Sequence, residues 1–259
     1  MLIDGDQEVV FLNRHRDPRW TAPQFDLALP LEAIPLEPEV VYVVAAHIPR
    51  HGADSFSPAL IDANVRLVAD LAKRFSGSRF VYCSSVSVYG QTGQERLAED
   101  APFVRPGPYG LSKLAGETIV QSVPNHCILR FSSLYGAGMT ARTFVPAIVA
   151  GALQDRRIRL FGDGSRQQNY LHVDDAARFL AKAGAVDITG IFNAVAARSW
   201  SNREVADIVA EIVGGVEIDY AGEDPTPSSH YDDTRWRRAV DWLPTVTMRE
   251  GLTDMVRNA

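Results

Sequence analysis

Short apolar runs separated by longer segments of helical periodicity constrain this chain more than any other feature. They lie at 8–12, 40–45, 80–84 and 127–131. Between the second and third, Ser57-Pro58 precedes Leu60, Ile61, Val65, Leu67, Val68, Leu71 and Phe75. That spacing is close to about 3.6 residues, and the Ser-Pro start predicts a capped helix with Pro at its first position. A second helix, started by Pro108, fits between the third and fourth runs. Runs that are apolar at nearly every position need cover on both faces, which is the property of a parallel sheet with helices packed on each side. The predicted class is α/β with a doubly wound parallel sheet.

After residue 135 the rhythm changes. A helix is expected over 142–153, short strands near 158–161 and 170–172, and a helix over 173–183. A strand near 191–193 follows, then a helix over 202–213 with Ser201 as its cap and Glu204 in its first turn. A strand at 216–220 leads to the polar loop 223–229. The expected organisation is one α/β domain over 1–135 and a smaller α/β region over 136–259, partly interwoven with the first.

The balance of 46% hydrophobic and 22% charged residues is ordinary for a globular chain. Net charge is −6, and the basic stretches Arg156-Arg157-Ile158-Arg159 and Arg235-Trp236-Arg237-Arg238 are short and lie among acidic neighbours. No basic stripe marks a nucleic-acid partner. Cys83 and Cys127 sit inside apolar runs without metal-ligand spacing, so both are read as small core residues in a reducing compartment, with no metal site. No apolar run approaches the roughly eighteen residues that span a bilayer. The acidic start, Met1-Leu2-Ile3-Asp4-Gly5-Asp6-Gln7, has no signal pattern. The expectation is a cytoplasmic protein without a membrane partner.

The chemistry concentrates in Pro108-Tyr109-Gly110-Leu111-Ser112-Lys113. Tyr109 and Lys113 are four apart and share one helix face, so the ammonium can lie beside the phenol. A nearby cation favours phenolate and makes tyrosine a usable acid–base near neutral pH. Such pairs also occur on solvated helix faces. Here the pair follows 80–90, an apolar run ending in Ser84, Ser85, Val86, Ser87, Val88, Tyr89 and Gly90.

Together with Val43-Val44-Ala45-Ala46, Asn64-Val65, the segment 129–136, Phe161-Gly162-Asp163-Gly164-Ser165, the segment 171–175 and Asp241-Trp242-Leu243-Pro244, these residues resemble the extended short-chain dehydrogenase/reductases, the NAD-dependent epimerase/dehydratase family. The resemblance implies a Rossmann-like dinucleotide-binding domain over 1–135 and a substrate-binding region over 136–259. It implies Tyr109 as catalytic acid–base, Lys113 as the lysine that also holds the nicotinamide ribose, and Ser85 as donor to the reacting oxygen. Ala45, Ala46 and Asn64 fall at positions that face the cofactor. Ser87, Ser133 and Arg166 fall on the substrate side. The implied cofactor is NAD or NADP, the implied substrate a sugar or nucleotide sugar, and the implied assembly a homodimer. For Ser85 the competing reading is a strand-end cap.

The sequence also departs from that pattern. Dehydratases of the family carry an Asp-Glu pair where Val86 and Ser87 stand. Valine transfers no proton, so epimerisation or carbonyl reduction is expected. Family members begin with a strand, a Gly-x-x-Gly-x-x-Gly turn and a helix, whose backbone and N-terminus receive the pyrophosphate; here 1–12 reads as the end of that helix and the second strand. Three explanations stay open: a numbered chain that starts late, a shortened homologue whose site is completed otherwise, and a non-catalytic binding or scaffold protein. Arg14, after the second strand, is placed to accommodate the extra phosphate of NADP and tilts the expectation that way; a solvated loop arginine is the competing reading. Where nucleotide-sugar enzymes show diphosphate-binding arginines, this chain has Gln168-Asn169 and Glu223-Asp224-Pro225-Thr226-Pro227, with Arg166 close to the first.

Overall fold

The computed structural model describes residues 8–13, 22–26, 30–49, 56–92, 96–140 and 143–259. In chain order these form β1 (Phe11–Asn13), β2 (Gln24–Asp26), β3 (Val40–Val43), α1 (Pro58–Ile61), α2 (Leu67–Arg74), β4 (Arg79–Ser85), α3 (Pro108–Val120), β5 (His126–Phe131) and β6 (Ser133–Tyr135). There follow α4 (Phe144–Gln154), β7 (Arg157–Phe161), β8 (Gln167–His172), α5 (Val173–Ala185), β9 (Gly190–Ala194), β10 (Ser199–Ser201), α6 (Asn202–Val213), β11 (Glu217–Ala221), α7 (Thr234–Ala239) and α8 (Met248–Arg257).

The chain divides into two compact units. The first comprises 1–84, 107–129 and 180–191, the second 85–106, 130–179 and 192–259. β4, β5 and β9 each begin in the first unit and end in the second, so each unit draws on several segments of the chain.

In the first unit, β3 pairs in parallel with β4, and the sheet order is β3-β4-β5-β9. Phe80, Val81 and Tyr82 of β4 and Cys127, Ile128 and Leu129 of β5 are wholly buried, as their unbroken apolar runs require. β3 is buried only at alternate positions, consistent with its place at the end of that order. β1 pairs in parallel with β2, and among the described residues these two form a sheet of their own. Ser57 Oγ accepts from Leu60 N at 3.2 Å, with Pro58 opening α1. The expected single helix is interrupted by a π-helical turn, Asp62–Arg66, which a search for 3.6-residue spacing does not detect. Val68, Leu71 and Ala72 of α2 pack with Phe75 on Val41, Val43, Phe80, Tyr82 and Ile128. At about 1.5–3 kcal/mol for each large apolar side chain fully buried, this cluster holds the layer together.

In the second unit, β8 lies between β6, parallel to it, and β10, antiparallel to it, while β7 and β11 form a parallel pair. Val145, Ile148 and Val149 of α4 pack with Ile158 and Leu160 of β7, Val205 and Val209 of α6, and Leu252 and Met255 of α8. Ser201 caps α6 as expected, and with Glu204 completes a reciprocal capping box. The three-residue strands β2, β6 and β10 are too short to carry a periodicity and were not expected. Cys127 is a core residue, whereas Cys83, expected to be one, is partly exposed near the end of β4.

Candidate active site

In the first unit, α3 places Tyr109, Lys113 and Glu117 at successive positions of one face. Lys113 is 1% exposed, and its Nζ lies 4.3 Å from the centroid of the Tyr82 ring. Burial pulls its pKa down to about 8, against Cys83 and Glu117, which favour the charged form. The cation expected to bias Tyr109 is thus itself close to titration near neutral pH. Glu117, also buried, accepts from Ser84 Oγ at 2.5 Å. It belongs to the same four-residue repeat as Tyr109 and Lys113, so the spacing that picked out the pair also carried the third member.

Tyr82 was not anticipated. Burial pushes its phenol above the usual range, with Tyr109, Glu117 and Cys83 adding to the effect, so it stays neutral. Its Oη has no hydrogen-bond partner among the described residues. α3 can approach this ring because residue 116 is glycine: a Cβ there would stand 2.2 Å from Tyr82 Oη. Gly116→Ala is expected to displace Tyr82 and lower stability by about 1–3 kcal/mol in urea unfolding. An unchanged midpoint would refute the close approach.

Ala45 and Ala46 follow β3, at the carboxyl end of a parallel strand, where such sheets receive ligands; Ala45 is exposed. Asn64, in the π-helical turn, is wholly buried. Its Oδ1 accepts from His47 N at 2.7 Å, and its Nδ2 donates to His47 O at 3.0 Å and to Ser112 Oγ at 2.9 Å. Ser112 Oγ in turn donates to Tyr109 O at 2.7 Å. Asn64 therefore fastens the loop bearing Ala45 and Ala46 to the turn bearing Tyr109. It supports that loop from beneath, rather than presenting a free amide to a cofactor. Arg14 lies outside the described residues.

In the second unit, Ser85 caps the short 3-10 turn Val86–Tyr89: its Oγ accepts from Ser87 N at 3.1 Å and donates to Ser87 Oγ at 3.0 Å. The capping geometry is present, and the hydroxyl also faces another hydroxyl to which its proton can pass. Ser87, Ser133 and Arg166 all line one pocket of about 570 Å³, within the range of small-molecule sites. Tyr89 forms part of the same wall. Its Oη donates to Asn193 Oδ1 at 2.7 Å and accepts from Arg130 Nη1 at 3.1 Å. Thr226, Ser228 and Ser229 come from the polar loop, and Tyr231 follows it. The sequence marks 223–229 as a polar loop on the substrate side, but it does not single out Thr226, Ser228 or Ser229, because these hydroxyls have no periodicity or motif, only a shared wall.

Among the described residues no His, Cys, Asp and Glu cluster could hold a metal ion, and no helix is long and apolar enough to cross a membrane.

A sequence profile described as the NAD dependent epimerase/dehydratase family matches residues 6–194. The chain is 31% identical to a UDP-glucose 4-epimerase of Mycolicibacterium smegmatis over 85% of its own length and 75% of that protein's. It is 26% identical to a dTDP-glucose 4,6-dehydratase of Streptomyces griseus, over 84% of this chain and 70% of the other. Among solved structures, MoeE5 in complex with UDP-glucose and NAD superposes with a TM-score of 0.82 at 23% identity, over 97% of this chain and 90% of that one. The ADP-L-glycero-D-manno-heptose-6-epimerase of Helicobacter pylori gives 0.84 at 18% identity, over 96% and 87%. The fold is thus the Rossmann-like α/β fold of these enzymes, and the chain belongs to the NAD dependent epimerase/dehydratase family.

Proposed function

We propose that this protein is an NAD(P)-dependent epimerase or ketoreductase acting on a hydroxyl or ketone of a sugar or nucleotide sugar. The observation that carries the reading is the face of α3, where Tyr109 precedes a Lys113 buried on Tyr82 and is tied through Ser112 and Asn64 to the loop after β3. Tyr109 is the acid–base: its phenolate takes the proton of a substrate hydroxyl in oxidation and returns it in reduction. Lys113, while protonated, favours that phenolate. Ser85 donates to the substrate oxygen as negative charge develops on it, and Ser87 can replenish its proton. Val86 offers no proton-transfer group, which favours epimerisation or reduction over loss of water, although dehydratases are among the relatives.

The first unit fits the nicotinamide end of a dinucleotide. Ala45 and Ala46 are small enough to let a ligand approach the backbone, their loop is pinned by Asn64, and Lys113 would hold the ribose. That cofactor supplies a hydride acceptor and donor when bound. The relatives named for UDP-glucose and dTDP-glucose support a nucleotide sugar as the substrate to try first.

Titrating the purified chain with NADH and NADPH, followed by nicotinamide fluorescence, tests the reading. Saturable binding is expected, tighter for NADPH as Arg14 implies. With UDP-glucose as probe, Tyr109→Phe should slow nicotinamide reduction by about 10²–10⁴-fold. A folded sample that binds neither dinucleotide would leave a non-catalytic binding role instead. Sedimentation of the same sample checks the homodimer.

A further inference from the structure

Among the described residues lining the pocket of the second unit, Arg166 is the one with a charged side chain. Its Nη1 lies 3.6 Å from Asp224 Oδ2, with the two side chains 25% and 13% exposed. Its Nε is buried without a hydrogen-bond partner among the described residues. Asp224 is held in place by its own loop, its Oδ1 accepting from Thr226 N at 3.1 Å. Its backbone packs on the turn at Gly162, where an added Cβ would lie 3.1 Å from Asp224 N. Burial works to raise the Asp224 pKa, but hydrogen bonds from Thr226 and the charge of Arg166 outweigh it, so the carboxylate is ionised at neutral pH. The neighbouring polar side chains are committed elsewhere. Gln168 Nε2 donates to Tyr170 Oη and Asn202 Oδ1, and the Asn169 amide is bound to Ala196 and Arg198. Asp224 is not itself part of the lining, so its carboxylate offsets the charge of Arg166 from beside the pocket.

We propose that Asp224 is a specificity-determining residue: it neutralises Arg166, so the pocket selects its ligand by the glycosyl part and gains no affinity from a second phosphate. The inference rests on the reading that this pocket receives the substrate. A diphosphate entering it must compete with Asp224 for Arg166 and would meet the carboxylate's own charge. A neutral glycosyl group meets a lining uncharged apart from Arg166, with hydroxyls from Ser87, Ser133, Thr226 and Ser229.

The test uses uridine, UMP and UDP as probes in calorimetric titrations. For the wild-type protein, UDP should bind no more tightly than UMP. Asp224→Asn should tighten UDP by about tenfold, the order of one charge-assisted bond regained, while leaving uridine unchanged. Asp224→Ser, which keeps an oxygen for Thr226 N, should give the same gain, and adding Arg166→Gln should abolish it. Wild-type UDP binding about tenfold tighter than UMP, or unchanged UDP affinity in both Asp224 variants, overturns the inference, as does failure of every variant to bind UDP. Equal UDP binding by wild type and variants leaves the catalytic reading standing, because dinucleotide titration tests that reading separately in the first unit.

Discussion

Lys113→Met should be more stable than the wild type at pH 7, by at most about 1–2.5 kcal/mol, while losing the activity assigned to Tyr109. Lys113 is 1% exposed, and its pKa falls from 10.5 to about 8 because burial disfavours the charged amine. A lysine pKa that is lower in the folded than in the unfolded state is a penalty on folding whenever the amine is charged in both. That penalty, about 3 kcal/mol at roughly 1.4 kcal/mol per unit, is fully present below pH 8. It is relieved as pH rises from about 8 to 10.5, where the folded amine has shed its proton and the unfolded one has not. Methionine removes the penalty but also the cation–π contact with Tyr82, worth about 0.5–2 kcal/mol, and leaves Glu117 buried without its cation. The difference between wild type and variant in urea unfolding should therefore shrink steadily over that pH window. A difference independent of pH would show that Lys113 does not titrate as its burial implies.

Arg130→Met should destabilise by about 3–5 kcal/mol, the cost of breaking a buried charged network by removing one member. Arg130 is 1% exposed. Its Nη1 donates to Tyr89 Oη at 3.1 Å and to Glu99 O at 2.9 Å, and its Cζ lies 5.0 Å from the Tyr89 ring centroid. Asn193 closes the network: its N donates to Glu99 Oε1 at 2.8 Å, and its Nδ2 donates to Leu97 O at 3.0 Å. Burial raises the Tyr89 phenol to about 12 against the pull of Arg130, so the tyrosine remains a neutral donor to Asn193. Tyr89 and Leu97 both line the pocket, and the variant should lose uridine affinity along with stability. A melting curve that matches the wild type would show that the network is not what holds this wall.

Much of the frame could be read in advance. The apolar runs at 80–84 and 127–131 lie within β4 and β5, and the helix starts at Ser57-Pro58 and Pro108 form where expected. These features are local: a cap, a proline or an unbroken apolar run acts on its own few residues. The π-helical turn around Asn64 and the short strands β2, β6 and β10 were not legible, because each depends on partners remote in the chain.

The candidate site shows the same division. Four-residue spacing by itself determined that Tyr109, Lys113 and Glu117 share one helix face, since helical geometry needs no other information. Only the tertiary structure decided that this face lies against Tyr82, through the gap left by Gly116, and that Lys113 is buried there and titrates near neutrality. Likewise the sequence determined that Arg166 and Asp224 are both present, but only folding set them 3.6 Å apart beside one pocket. Burial and charge pairing are properties of the neighbours that packing supplies, and those neighbours lie tens of residues away along the chain.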